Sequence, residues 1–429
     1  MVPWAIGYAA LWAIAGGAVA ADALPRLSAA LGATPPLPNG VVGTAAAAVC
    51  AYVVGLVALG AALPGPVVTG TRLADGSRLT YKCNGLAVAA VTVAVAVGAV
   101  SAGVLPGDLL VTHYLAVLTA ANGLAVALTV YLVVGGRVRR RLAAGRPPRP
   151  TAAATSAAVG STAPPPTHGG GSDAERPLWL DVVLGAELNP HIAGVDVKFF
   201  SYRPAMIGWL LLNLSFAYAH VARTGSLSAR MGLYQALSAI YIIDYFLHEA
   251  AMTSTWDIIA ERFGLMLIWG DYVFIPFGFS VQLWYLLPAV GFAPLPPLHP
   301  AVGTAIAALF VGGMVTFRGA NSQKHAFRVD PKRLVWGRPP VTAAAGRLLA
   351  SGWWGLARHI NYTGDLAVAA ALVAPVGAGG AGGYFYFVYL LLLVVHRERR
   401  DDRRCAAKYE RDWADYCRRV PWHMVPGVY

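Results

Sequence analysis

The sequence predicts an all-α, polytopic membrane protein with about ten transmembrane helices. Three observations predict it: too few charges for a water-facing surface, a series of apolar runs of bilayer length, and basic residues collected at the ends of those runs. Of 429 residues, 13% are charged and 57% hydrophobic, and mean hydropathy is +0.56. A soluble domain carries about 25% charged residues. Lipid requires no charged shell, so it is the environment that fits.

Crossing ~30 Å of hydrocarbon takes ~20 apolar residues. Such runs occupy residues 3–20, 40–62, 86–105, 113–135, 203–222, 232–250, 264–287, 299–317, 366–378 and 384–395. The first lacks a basic n-region and a cleavage site, so it is expected to be a retained helix. The last two are short and must tilt, extend into their flanks or be shielded by neighbours. Threading the runs from a cytosolic amino terminus puts nearly every basic cluster on one side: Arg72, Arg78 and Lys82; Arg137 and Arg139–Arg141; Arg318–Arg333; and the arginines after His396. This is the positive-inside pattern, and it accounts for the net charge of +12 better than nucleic acid does.

Residues 143–177 are rich in Ala, Pro, Gly, Ser and Thr, and bury too little apolar area to offset their ordering entropy. The expected organisation is four amino-terminal spans (1–136), a flexible cytosolic linker (137–177) and a six-span region (178–429) that carries the chemistry. The four cysteines are scattered without metal-ligand or disulfide spacing, and His248-Glu249 lacks the second His of a zinc helix, so no metal is expected.

Four polar constellations stand out in the second part. On one predicted helix, Tyr241, Asp244, Tyr245 and His248 share a face, and Glu249 points about 80° from Tyr241. Acidic groups in an apolar helix mark a functional site or a buried pair. Trp256 and Asp257, then Trp269-Gly270-Asp271 before Pro276, interrupt an apolar run; a broken helix is tolerated where it lines a cavity or is buried in protein. Ser351–Asp365 packs Gly, Trp, Arg, His, Asn and Asp at a membrane boundary, more than an aromatic belt explains. Gln323–Arg328 and Arg399–Cys405 offer Lys and Arg for phosphate, although topology and anionic lipid also account for such charges.

At these residues the chain resembles the sterol reductase family, which includes Δ14-, Δ7- and Δ24(28)-sterol reductases and the lamin B receptor membrane domain. Leu348–Trp354 through Arg358–Asp365 matches the family's carboxy-terminal signature nearly throughout. Gly185–Pro190 matches its other signature, with His191 where many members have Arg. Met252–Gly264, Phe317–His325 and Val420–Tyr429 are most similar to plant-type Δ14 reductases. The resemblance is expected to run from about Leu178 to Tyr429, with the amino-terminal spans similar in hydropathy only.

The resemblance implies an endoplasmic-reticulum enzyme with a sterol as substrate and NADPH as cofactor. It places the cofactor on Lys324, Arg328, Leu349, Trp354, Asn361, Tyr362, Asp401, Cys405, Lys408, Tyr409 and Tyr416. It also implies protonation of the alkene at C15, leaving a cation at C14 that accepts hydride. The expected acid network is Tyr241, Asp244 and Glu249, with Tyr241 or a protonated carboxyl as donor; Trp256, Asp257 and Asp271 are expected in the pocket wall. Reduction of the Δ7 or Δ24(28) bond, a non-catalytic sterol-binding scaffold and a transporter are the competing readings.

Overall fold

In the computed structural model the chain is described over residues 40–73, 76–144, 176–288, 295–378 and 380–429. The run expected at 3–20 lies outside the described residues, as does most of the expected linker. In chain order the main helices are α1 (Val41–Ala62), α2 (Gly85–Ser101), α3 (Tyr114–Ala144), α4 (Val197–Thr224), α5 (Ala229–Leu247), α6 (Pro300–Val329), α7 (Ile360–Val373), α8 (Phe385–Tyr409) and α9 (Arg411–Arg419). The chain is mostly helical, with a little sheet that the all-α expectation did not include. Among the described residues three antiparallel hairpins supply it: β1 (Val67–Thr69) with β2 (Thr80–Lys82), β3 (His191–Ile192) with β4 (Val195–Asp196), and β5 (Thr342–Ala343) with β6 (Leu348–Leu349). They brace loops between helices.

Among the described residues, five helical segments are long and apolar enough to cross a bilayer: Val41–Ala62, Tyr114–Leu142, Val197–Thr224, Leu265–Leu286 and Pro300–Val329. Gly85–Ser101 and Ile360–Val376 are apolar but shorter. The runs at 232–250 and 384–395 also fold largely as helix: the first fills α5 to Leu247, breaks at His248 and resumes as the short helix Glu249–Met252, and the second lies in α8; Arg230, Gln235 and Asp244, or the arginines after His396, dilute the apolar stretches. Sustained apolar helices of this kind make the chain an integral membrane protein.

Two segments shape what surrounds the polar residues. Helix α3 continues beyond Gly136 through Arg137–Arg141 to Ala144, into the stretch expected to be linker. Its basic end is held by fully buried Asp181, which pairs with Arg137 at 2.8 Å, with Arg140, and with Arg176 at 3.6 Å. The run at 264–287 is broken as its Gly and Pro residues suggested: α-helix over Leu265–Trp269, π-helix over Gly270–Gly278 with Pro276 inside, then a turn of helix at Leu283–Leu286.

The chain folds as two compact units. Unit one holds the described residues of Met1–Ser226 with Ala239–Val281. There α3 packs on α1 through the small residues Ala45, Ala116 and Ala120. The π-helix lies on α4 and α3, with Tyr114 Oη donating to the Phe277 carbonyl at 3.2 Å and Trp269 Nε1 to Asn122 Oδ1 at 3.1 Å. Unit two holds Leu227–Ser238, Gln282–Pro288 and the described residues of Phe292–Tyr429. Its centre is the crossing of α6 and α7, where Gly313 and Gly364 let the backbones meet: a Cβ on Gly364 would stand 2.5 Å from the Phe317 nitrogen.

Candidate functional site

In unit one the site begins at the start of α4. Asp196 caps that helix, its Oδ1 accepting from the Phe199 N–H at 3.0 Å while Oδ2 accepts from Asn189 at 3.2 Å. This fixes Lys198 in the first turn, buried, with Nζ donating to the carbonyls of Asp257, Ile258 and Glu261 at 2.7, 2.8 and 2.9 Å. The ammonium thereby satisfies carbonyls at the end of the short helix Trp256–Ile259, where cations are favoured. Trp256 Nε1 donates to Glu261 Oε1 at 2.8 Å, which closes the same turn.

One turn or so further along α4, Arg203 meets Glu249. The pair is buried and its Nη2–Oε1 distance is 3.1 Å. Glu249 Oε2 also accepts from the Gly85 N–H at 2.8 Å, at the start of α2, and Arg203 Nη2 donates to the Lys82 carbonyl at 2.6 Å. Glu249, expected in the acid network, is thus bonded through both carboxylate oxygens, to Arg203 and to the Gly85 N–H.

The other expected acid residues lie close by. Tyr241 is partly buried, its ring edge-on to Trp209 at 5.8 Å. Asp244 Oδ1 lies 3.2 Å from His248 Nδ1, one turn away, with the carboxylate one-fifth exposed. Tyr245 packs near Tyr202 at 6.1 Å and lies within electrostatic reach of Glu249, Asp271, Arg203 and Tyr241. Asp271 is buried on the π-helix, within electrostatic reach of Asp257 and Lys198. All six residues expected in the acid network and pocket wall thus belong to this unit. Arg203 and Lys198 were missed; a cation within or just before an apolar run is the signal that could have found them.

In unit two the carboxy-terminal signature forms a separate polar cluster. Gly352 (φ 62) turns the chain so that Trp353 N–H reaches Gln323 Oε1 at 2.9 Å and Trp354 Nε1 donates to the Ala320 carbonyl at 2.8 Å. Trp354 is then buried with its face toward Lys324, whose Nζ stands 4.0 Å from the ring centroid. Leu349 packs in the same apolar cluster. Lys324 interacts electrostatically with Arg328, Asp401 and Cys405, which brings the end of α6 and the end of α8 to one place. Asn361 Nδ2 reaches Asn321 Oδ1 at 3.4 Å, while its own Oδ1 is buried without a hydrogen-bond partner among the described residues. Tyr362 stacks on His359 at 5.3 Å.

Cys405, Tyr409 and Tyr416 share a second cluster around Trp413. Burial and the nearby Asp401 carboxylate push the Cys405 thiol up to about 12, so it stays protonated. Lys408 lies with its ammonium 5.0 Å from the Tyr409 ring. All eleven residues of the expected cofactor set belong to unit two. Arg399, Arg400 and Arg403 are exposed. An amide oxygen without a partner among the described residues, a half-buried ammonium over an aromatic face and further cations fit a ligand with amide, ring and phosphate groups. His191, by contrast, is exposed, with Nδ1 2.9 Å from the Asn189 carbonyl oxygen.

Among the described residues, Glu398, Asp402 and His423 bring ligand-type atoms within 4.8 Å of one another. A direct 2.5 Å hydrogen bond joins His423 to Glu398, and the Arg358 guanidinium lies 3.8 Å from Asp402. A cation would have to displace the first and sit against the second.

The family model described as the ergosterol biosynthesis ERG4/ERG24 family matches residues 41–146 and 171–429. The match therefore takes in the apolar runs at 40–62, 86–105 and 113–135, which were expected to be similar only in hydropathy, but not the run at 3–20. A relative named delta(14)-sterol reductase from Arabidopsis thaliana is 43% identical over 384 residues, 88% of this chain and 94% of its own. Relatives of the same name are 40% identical over 392 residues in Methylotuvimicrobium alcaliphilum (90% and 83%) and 34% over 372 in Dictyostelium discoideum (85% and 74%). With a family model spanning most of its length and relatives this similar over this coverage, the chain belongs to the ergosterol biosynthesis ERG4/ERG24 family.

Proposed function

We propose that the chain is an NADPH-dependent reductase of the sterol C14–C15 double bond, set in the endoplasmic reticulum membrane. The relatives' shared name supports the bond and the substrate class. The observation that carries the cofactor reading is Lys324 over Trp354, beside a segment whose Asn361 Oδ1 is buried without a partner among the described residues. NADPH, when bound, supplies hydride. Lys324, Arg328 and Lys408 would meet its phosphates, Trp354 and Leu349 its flat ring, and Asn361 and Tyr362 its polar groups; Asp401, Cys405, Tyr409 and Tyr416 complete the wall.

An isolated trisubstituted alkene is a poor hydride acceptor, so the protein must first protonate it at C15. Tyr241 is the donor in this reading, with Asp244 one turn behind it. Glu249, held by Arg203 and the Gly85 N–H, sets the local charge and the helix end. Trp256, Asp257 and Asp271 shape the wall of an apolar slot that keeps water from the C14 cation. The fold that serves this is proposed to have about ten spans, four before the linker at 137–177 and six after it, with the basic ends cytosolic. Purified protein with NADPH and Δ14, Δ7 and Δ24(28) sterols in parallel tests the reading. Mass spectrometry should find saturation of the Δ14 bond. Preferential turnover of another bond would move the assignment within the family, and no NADPH oxidation with any sterol would leave a sterol-binding scaffold.

A further inference from the structure

Glu398 on α8 has no exposure at all, and the reading above does not use it. A buried carboxylate is costly unless its oxygens are bonded, and here both partners come from the last stretch of the chain. Oε1 accepts from His423 Nδ1 at 2.5 Å, and Oε2 from the Tyr429 hydroxyl at 3.1 Å. The His423 and Tyr429 rings stack at 5.0 Å. The Tyr429 carbonyl oxygen accepts from the N–H groups of His423 and Met424 at 2.9 and 3.0 Å, so residues 423–429 close into a loop.

That loop grips the signature segment. The N–H groups of Arg358 and His359 donate to the carbonyls of Trp422 and His423 at 3.0 and 2.8 Å, and Thr363 Oγ1 donates to the Met424 carbonyl at 2.5 Å. The three bonds bracket Asn361 and Tyr362. The bracketed segment has need of them: Arg358 and His359 are buried, yet Arg358 Nε, His359 Nε2 and Asn361 Oδ1 have no hydrogen-bond partners among the described residues. Side-chain atoms left open for a ligand cannot also hold their own backbone in place.

We propose that Glu398, His423 and Tyr429 are positioning residues for the dinucleotide site: they lock the 422–429 strap, and the strap sets the backbone of 358–363 so that Asn361 and Tyr362 are presented in register. The proposal rests on the reading that this unit binds NADPH. Supporting shells of this kind hold contact residues within a fraction of an ångström of productive geometry.

The test uses the full chain in detergent, with NADPH affinity read by tryptophan fluorescence and steady-state KM and kcat read by sterol reduction. Glu398→Gln should weaken NADPH binding and raise its KM about tenfold, the worth of one charge-assisted hydrogen bond. Its kcat at saturating NADPH and its KM for sterol should stay near wild type. Tyr429→Phe should do the same to a smaller degree. A merely structural role would lower melting temperature and active fraction while leaving KM for NADPH unchanged. Lys324→Ala separates the two ideas: wild-type NADPH affinity in that variant sinks the cofactor reading. Weakened affinity there, with wild-type affinity in Glu398→Gln and Tyr429→Phe, overturns the strap alone. Should Glu398→Gln fail to fold, Tyr429→Phe decides, since it removes one hydroxyl.

Discussion

Arg203 and Glu249 form a buried ion pair inside an apolar unit, and its contribution is asymmetric. Two charges taken from water together gain little, but leaving one behind is costly. Arg203→Met should therefore lower stability by about 3–5 kcal/mol, seen as a large drop in melting temperature in detergent. Adding Glu249→Leu should recover part of the loss, because the orphaned charge disappears, although the Gly85 N–H then loses its acceptor. Tyr241 needs a different readout. If it delivers the proton, Tyr241→Phe should abolish sterol reduction while NADPH binding persists, since the variant keeps the ring that packs edge-on to Trp209. Wild-type turnover by that variant would take Tyr241 out of the acid role.

At the scale of elements, small residues set how closely helices approach. Gly364 on α7 lies against the α6 backbone, and a Cβ there would stand 2.5 Å from the Phe317 nitrogen and 2.8 Å from the Gly313 oxygen. Neither neighbour is a flexible side-chain tip, so the helices must part. Asn361 and Lys324 sit near the ends of these same two helices. Gly364→Leu should thus destabilise unit two and weaken NADPH binding together, whereas a lipid-facing change such as Val311→Leu on α6 should do neither. Thermal melting paired with NADPH titration checks this. The Gly185–Gly264 approach in unit one follows the same logic: Gly185 has φ 102, and a Cβ on it would stand 2.5 Å from the Phe263 carbonyl carbon.

For the molecule as a whole, pH should act on stability through His359. Burial, with the cations Lys324, Arg358 and Arg397 behind it, pushes that imidazole down to about 3. An unfolded histidine takes up its proton near ~6.5. The stabilisation is therefore complete above pH ~6.5 and is lost progressively as pH falls toward about 3, by up to ~1.4 kcal/mol per unit. Melting temperature should drop between about pH 7.5 and about pH 5, and His359→Gln should shrink that drop. An identical drop in the variant would assign the acid sensitivity to other groups.

The bilayer class and the helical runs were legible in sequence, because lipid imposes an apolar length on every crossing and penalises polar atoms that have no task. The signature around Trp354 and Asn361 was legible as a motif, and the broken span was legible from Gly270 and Pro276. Pairing was not. Glu249 looked like an acid on its own helix, and only the fold brought Arg203 and the Gly85 N–H to it from other parts of the chain. The extension of α3 to Ala144 likewise depended on Asp181 meeting three arginines, and the strap on a glutamate and a histidine 25 residues apart. Local sequence determines what each segment can expose to lipid; which charges neutralise one another is a through-space property, and tertiary structure alone decided it.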